Sequence, residues 1–322
     1  MNRSDSERIA SVLEKKGHKN TSKINEADLI VVNMCSIRQS AVDRVYGKVN
    51  KYFKTKKIIL TGCILKEDKK KLKDKVSEFW HPDYYFERST IHQNKFSVYV
   101  PIMTGCNNFC AYCVVPYTRG KEKSRKAKKI VAEIKSLIKN GCQEIILLGQ
   151  NVNSYKDKNV NFSKLLKKIN DIKGDFRLNF ITSHPKDMSD ELIEIMAKCQ
   201  KLIKEIHLPV QSGDNEILKK MNRHYTAAQY KNLIKKIRQK IPEIKISTDI
   251  IVGFPGENKK QFQSTVKLCK QIKFEKAYIA KYSPRSGTAA AKFKDAVSPQ
   301  EKKRRWEILN SLINKKYVKE SV

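Results

Sequence analysis

Three cysteines fall within one short stretch, Cys106-Asn107-Asn108-Phe109-Cys110-Ala111-Tyr112-Cys113, at CxxxCxxC spacing. Thiolates bind zinc and iron–sulfur clusters. Structural zinc needs four protein ligands, usually as two CxxC-like pairs. No fourth Cys or His lies nearby in this sequence. Three thiolates on one loop suit three irons of a cubane, with the fourth iron left open to a substrate or cofactor.

Five further cysteines stand at 35, 63, 142, 199 and 269. Cys35 follows the apolar run Leu29-Ile30-Val31-Val32-Asn33, and Cys63 follows Ile58-Ile59-Leu60-Thr61-Gly62. Each run reads as a buried parallel strand, so both thiols can meet at one sheet end. Taken alone, each is equally well an ordinary buried thiol. Cys142, Cys199 and Cys269 fall at helix ends or on an apolar face and read as core thiols.

These loops need a scaffold. Up to residue 80 the chain alternates helix (5–16, 37–53) and strand (29–33, 58–61). The segment 66–75 is mostly charge and reads as exposed, and 81–94 reads as a linker. From Ser97 a strand–helix rhythm predicts strands at 98–103, 144–148, 176–180, 205–208, 244–252 and 277–282. Ile130, Val131, Ile134, Leu137 and Ile138 recur at helical spacing, and Asn140-Gly141 gives a stop. Thr226-Ala227-Ala228-Gln229 fits a capping box, and Pro242 ends the helix behind it. Six such units predict a parallel sheet curved into a partial barrel rather than a closed eight-stranded one. Chemistry gathers at the carboxyl ends of such strands. The polar residues there are Gln150, Asn151, Ser183, His184, Gln211 and Ser212, with Gly253 as a turn that lets backbone approach a ligand. His184 and His207 also lie at strand ends and read as packed histidines rather than acid–base groups.

The 322 residues carry a net charge of +34, from 67 Lys+Arg against 33 Asp+Glu. Such a field draws polyanions, and nucleic acid is the expected partner. Lys outnumbers Arg 54 to 13, so part of the charge reads as a solvated lysine coat. At 40% apolar the chain is no disordered tail. No apolar run reaches the roughly 18 residues of a membrane helix, and the first residues form no secretory signal. The expected setting is the cytoplasm, where thiols stay reduced.

CxxxCxxC with Tyr112 before the last Cys resembles the radical S-adenosylmethionine (SAM) enzymes. The flanks resemble their methylthiotransferase branch: Tyr99-Val100-Pro101-Ile102-Met103-Thr104-Gly105, Val114-Val115-Pro116-Tyr117-Thr118-Arg119-Gly120, Leu147-Leu148-Gly149-Gln150-Asn151-Val152-Asn153, Thr182-Ser183-His184-Pro185, His207-Leu208-Pro209-Val210-Gln211-Ser212-Gly213, Met221-Asn222-Arg223 and Ile251-Val252-Gly253-Phe254-Pro255-Gly256-Glu257. The resemblance implies an α/β fold: a flavodoxin-like parallel domain over 1–92, a partial (β/α)6 radical-SAM barrel over 93–295, and a C-terminal helix over 296–322.

It also implies two 4Fe-4S clusters and SAM. Cys106, Cys110 and Cys113 would hold the radical-generating cluster, whose open iron chelates SAM. Cys35, in Asn33-Met34-Cys35-Ser36-Ile37-Arg38, and Cys63 match two ligands of an auxiliary cluster. Its third cysteine would fall upstream of Met1, so that cluster is expected to be incomplete in this sequence and the N-terminal domain shortened. An RNA-binding β-barrel beyond the last helix is likewise expected to be missing. Gln150, Asn151, Ser183, Gln211 and Gly253 are the implied SAM pocket. The nearest members of the branch place a methylthio group at C2 of N6-dimethylallyladenosine beside the tRNA anticodon. Action on threonylcarbamoyl-adenosine or on a ribosomal protein, and a non-catalytic tRNA-binding remnant, stand as alternatives. The expected partners are a tRNA anticodon loop, a flavodoxin or ferredoxin as electron donor and a sulfur donor the residues do not identify. No membrane is expected, and the chain is expected to be a monomer. The basic run after the cluster loop, including Arg119, Lys121, Arg125 and Lys126, is expected to hold the tRNA backbone.

Overall fold

The computed structural model describes residues 1–37, 39–88 and 96–315. Arg38, residues 89–94 of the expected linker, the expected domain boundary at 92/93 and residues 316–322 of the expected C-terminal helix lie outside them.

The N-terminal part is three-layered. Helix α1 (Asn2–Glu14) leads to strand β1 (Leu29–Met34), then helix α2 (Gln39–Tyr52), strand β2 (Lys57–Gly62), helix α3 (Lys66–Leu72), the short strand β3 (Glu78–Phe79) and helix α4 (Asp83–Phe86). The strands are parallel in the order β1-β2-β3, with Met34 paired to Gly62 at the carboxyl end. Alternation sends Val32, Met34, Ile58 and Leu60 to one face, against Val42, Val45 and Val49 of α2. Ile59, with Trp80 and Tyr85, packs on Ile9 and Val12 of α1 on the other face. Two expectations are corrected here. The stretch from 81 is no loose linker up to residue 88, because Tyr85 and Phe86 of α4 are fully buried. The charged segment 66–75 buries Leu72 and Asp68, whose carboxylate accepts from the Tyr46 hydroxyl at 2.8 Å.

The second part carries all six expected strands. They are β4 (Ser97–Pro101), then, after the small strand β5 (Met103–Thr104), helix α5 (Val115–Thr118), small strand β6 (Lys123–Ser124) and helix α6 (Ala127–Lys139), β7 (Glu144–Leu148). The hairpin of β8 (Lys156–Asp157) and β9 (Val160–Asn161) and helix α7 (Phe162–Asn170) precede β10 (Arg177–Phe180). Helix α8 (Asp190–Lys198) leads to β11 (Glu205–His207), and helices α9 (Asn215–Lys220) and α10 (Ala227–Lys240) to β12 (Lys245–Val252). Helix α11 (Lys259–Ile272), β13 (Lys276–Lys281) and helix α12 (Pro299–Ile313) complete the chain. Thr226 caps α10 in the expected capping box.

The sheet is not one regular ladder. β4, β7 and β10 form one parallel triplet, and β11, β12 and β13 another. Residues 201–203 join them: Leu178 donates to the Lys201 carbonyl at 2.7 Å, and Ile203 donates back to Leu178 at 2.9 Å. One extended stretch thus pairs first with β10 and then with β12. That stagger is what closing a sheet toward a barrel requires. The core is continuous across both triplets, from Val98 through Leu147, Leu178 and Ile206 to Ile250.

Helix α12 covers the free edge of the barrel. Trp306 Nε1 donates to the Ile279 carbonyl at 2.9 Å. The side-chain amide of Asn314 exchanges two hydrogen bonds with the Ala277 backbone, as a neighbouring strand would. The expectation of a helix that merely leads onward is corrected: Lys302, Arg305, Leu309 and Ile313 are buried against the barrel. No helix among the described residues is long and apolar enough to cross a membrane.

Candidate metal centre and cofactor site

The CxxxCxxC loop follows β4 and β5, at the carboxyl end of the first barrel strand. Gly105, at φ +76°, starts it, and a Cβ there would run into the Lys121 carbonyl. The Cys106 N–H donates to the Gly120 carbonyl at 3.2 Å. The far side is clamped by 221–223, where Ala111 N–H donates to the Met221 carbonyl at 2.9 Å. Asn222 Nδ2 donates to the carbonyls of Phe109 (2.9 Å) and Asn108 (3.3 Å). Phe109 sits at φ +47°, a conformation bulky residues avoid, and the Asn222 clamp holds it there.

Two side chains donate to loop sulfurs. Asn108 Nδ2 lies 3.3 Å from Cys106 Sγ, and Arg223 lies 3.4 Å from Cys110 Sγ. Arg223 also donates to the Pro209 carbonyl (2.8 Å) and the Tyr225 hydroxyl (2.9 Å). It is buried and has no carboxylate partner among the described residues. Burial alone would lower its pKa, but Tyr112, Tyr225 and Cys110 hold it above the ordinary value. Burial pushes the Cys113 thiol up to about 12, with Cys110, Cys106 and Cys63 adding to it. Burial raises Cys106 too. Without a cation these thiols stay protonated; a metal is what would draw off their protons. No three His, Cys, Asp or Glu side chains among the described residues are gathered around a single point.

Cys35 and Cys63 directly follow the paired Met34 and Gly62, so both stand at one end of the N-terminal sheet. The Cys63 N–H donates to the Met34 carbonyl at 2.9 Å, and the Ser36 hydroxyl donates to the Cys63 carbonyl. That end faces the cluster loop. Arg119, just past it, places Nε 3.2 Å from Cys63 Sγ and pairs with Asp5 of α1 at 2.6 Å.

This overturns part of the expected RNA surface. Arg119 and Arg125 are only 3% and 5% exposed. Arg125 pairs with Glu133 of α6 and donates to the Pro101 carbonyl at 2.7 Å, while Arg8 of α1 holds the other Glu133 oxygen at 3.1 Å. Arg119, through Asp5, and Arg8, through Glu133, tie the N-terminal layer to the barrel. Lys121 and Lys126 remain exposed, as expected.

The expected pocket residues end β7, β10 and the stretch after β11. Gln150 Oε1, Asn151 Oδ1, Ser183 Oγ, His184 Nε2 and Gln211 Oε1 are buried atoms with no hydrogen-bond partner among the described residues. Neighbours fix several of these groups. Asn151 Nδ2 donates to Asp187 at 2.7 Å, which orients its Oδ1. Asn153 exchanges two hydrogen bonds with the His184 backbone, both 2.9 Å, which locks the end of β7 to that of β10. Buried polar atoms left open at converging strand ends are the donor and acceptor set a polar ligand satisfies. Three clustered thiols beside them fit a SAM-chelating four-iron cluster. Gly253 is corrected: at φ +67° its N–H donates to Glu257 at 2.7 Å, and the space a Cβ would fill holds Lys302 of α12 rather than a ligand. His207 is packed against Ser247 (3.0 Å) and Asp249 (3.2 Å). Cys142, Cys199 and Cys269 are buried core thiols.

Residues 100–269 match the Radical SAM superfamily, and residues 1–81 match the uncharacterized protein family UPF0004. The chain is 44% identical over 358 residues to a tRNA-2-methylthio-N(6)-dimethylallyladenosine synthase of Clostridium botulinum (strain Langeland), covering 98% of this chain and 79% of that protein. It is 43% identical to the synthase of the same name from Thermoanaerobacter sp. (strain X514), covering 98% and 76%. Its fold is similar to that of OxsB, a cobalamin-dependent SAM radical enzyme, with TM-score 0.59 at 10% identity over 97% of this chain and 52% of that one. The loop of three thiols, the strand-end polar ring and these matches agree, and the chain belongs to the radical SAM superfamily and, within it, to the methylthiotransferase family of the tRNA-2-methylthio-N(6)-dimethylallyladenosine synthases.

Proposed function

We propose that this enzyme adds a methylthio group to C2 of N6-dimethylallyladenosine in a tRNA anticodon loop. The observation that carries the reading is the Cys106–Cys110–Cys113 loop held at the barrel mouth beside side-chain oxygens of Gln150, Asn151, Ser183 and Gln211 that have no hydrogen-bond partner among the described residues. A four-iron cluster with SAM bound there would supply one-electron radical chemistry. The chain's own part is to hold and orient. Asn108 and Arg223 donate to the ligating sulfurs, Asn222 fixes the loop, and the polar ring seats SAM. The target base comes from a single-stranded loop, where it can be splayed out.

Cys35 and Cys63 are the two ligands this chain offers to an auxiliary cluster that carries the sulfur, facing the radical site across Arg119. The working division is 1–92, 93–295 and 296–322. Lys121 and Lys126 of the expected run are exposed and without an ion pair among the described residues, which leaves them open to RNA phosphates. Reduction calls for an electron donor such as a flavodoxin or ferredoxin.

Anaerobic reconstitution tests this. About four irons mark the radical cluster alone, and about eight mark both. Cys110→Ala should abolish 5′-deoxyadenosine formation; persistent formation would refute the loop's role. Mass spectrometry of tRNA nucleosides after reaction identifies the substrate. A methylthio gain on threonylcarbamoyl-adenosine, or no gain on tRNA at all, overturns the dimethylallyl reading.

A further inference from the structure

His184 stands at the carboxyl end of the third barrel strand, 5% exposed and outside any assigned role. Its Nδ1 accepts from the backbone N–H of Lys186 at 3.2 Å. A nitrogen that accepts carries no proton, so the neutral ring bears its proton on Nε2. That Nε2–H is a buried donor with no partner among the described residues. Such a donor costs folding free energy unless something completes it. The ring lies edge-on to Tyr225, with centroids 5.9 Å apart. The Tyr225 hydroxyl takes Arg223 Nε, and Arg223 reaches Cys110 Sγ. His184 therefore stands one side chain away from the residues that grip the cluster loop. Of the other orphan atoms nearby, those on Gln150, Asn151 and Gln211 are carbonyl oxygens that only accept, while the Ser183 hydroxyl can donate or accept. An occupant bearing both donors and acceptors would complete the set, and SAM bears both.

We propose that His184 positions SAM, donating from Nε2–H to a carboxylate or ribose oxygen of the cofactor bound beside Cys110. This rests on the radical SAM reading above. The groups facing the ring are cationic or neutral: Arg223, Lys186, His224 and Tyr225. Together with burial they keep the imidazole uncharged, so the donor is present at every working pH.

Two near-isosteric variants separate positioning from structure. His184→Asn keeps an acceptor where Nδ1 stood, and so keeps the Lys186 bond, but lacks the Nε2 donor. His184→Gln puts an amide N–H near Nε2 and loses the Nδ1 acceptor. The readout is the SAM concentration that half-saturates the change in the reduced cluster's EPR signal, in anaerobically reconstituted protein, beside the melting temperature. His184→Asn should raise that concentration about tenfold at little cost in melting temperature, a loss of one good hydrogen bond. His184→Gln should stay within about threefold of wild type while melting earlier. The wild-type value should be flat from about pH 6 to 8. Unchanged SAM affinity in His184→Asn, SAM affinity that follows melting temperature in both variants, or a wild-type constant that titrates near pH 6.5 each overturns the proposal. A wild-type cluster whose signal ignores SAM overturns instead the reading on which it rests.

Discussion

The guanidinium Nε of Arg119 lies 3.2 Å from the sulfur of Cys63, although 56 residues separate them in the chain. The same side chain pairs with Asp5 at 2.6 Å, and both charged groups are 2% exposed. Three parts of the molecule meet there: the segment after the cluster loop, the end of β2 and helix α1. Burial alone would lower the Arg119 pKa, but Cys63 and Asp5 more than offset it. Removing one member of a buried pair strands the other, which typically costs about 3–5 kcal/mol. Arg119→Ala should lower unfolding free energy by that order, and Asp5→Ala similarly. The double variant should lose clearly less than the sum, because neither partner is then stranded. Urea denaturation of the four proteins checks this, and strict additivity would show that the pair is not a unit.

The exposed lysines, not the buried arginines, should govern RNA electrostatics. Lys121 and Lys126 are exposed, while Arg125 spends its donors on Pro101 and Glu133. Each lost contact with a single-stranded phosphate lowers the slope of log affinity against log salt by about 0.7. Lys121→Ala with Lys126→Ala should therefore flatten the slope for a tRNA anticodon stem-loop by about one to one and a half. Fluorescence anisotropy across a salt series reads it. An unchanged slope would place the phosphate contacts elsewhere on the chain.

The difference between those lysines and arginines marks where the sequence was legible. Spacing alone singled out Cys106, Cys110 and Cys113, and the structure sets them on one loop at the carboxyl end of a barrel strand. The repeating strand–helix rhythm located all six barrel strands, since each short apolar run must be buried between helices. Gln150, Asn151, Ser183 and Gln211 followed from the rule that strand ends converge. Arg119 and Arg125 misled because a run of cations looks alike whether solvated or paired. Their partners Asp5 and Glu133 come from other elements, and no local pattern announces them. Gly253 misled for a similar reason: a positive-φ turn reports a close approach without saying that Lys302 is what approaches. The Asn222 clamp and the Arg223–sulfur contact were missed, although Met221-Asn222-Arg223 had stood out by resemblance.

Acid should destabilise the fold through His184. Burial, then Arg223, Lys186 and His224, push its pKa from 6.5 down to about 2. Between those values the unfolded chain holds a proton on this ring that the folded chain refuses. Unfolding free energy therefore falls as pH drops below about 6.5, by at most about 1.4 kcal/mol per unit from this group. Above pH 6.5 both states are neutral and the contribution is flat. Asparagine does not titrate, so His184→Asn should show a shallower loss between pH 6.5 and 5. Denaturation midpoints over that range check it, and parallel wild-type and variant curves would remove His184 as the source.

Arg223 gives the sharpest electrostatic prediction. A buried cation without a carboxylate partner is costly, and here its donors go to Cys110 Sγ, the Pro209 carbonyl and the Tyr225 hydroxyl. The natural counter-charge is the thiolate set of a bound cluster, whose potential responds to nearby charge and to hydrogen bonds on its sulfurs. Arg223→Met removes both the positive charge and the N–H···S contact. It also takes a donor from the Pro209 carbonyl and the Tyr225 hydroxyl, so the metal-free protein should melt somewhat earlier. The reconstituted cluster should become harder to reduce. Arg223→Lys keeps the charge but not the fork geometry, and should fall between the two. An EPR-monitored redox titration with iron content matched across the three proteins decides it. Equal midpoint potentials would mean that Arg223 serves the fold of the loop and not the electronics of the cluster it holds.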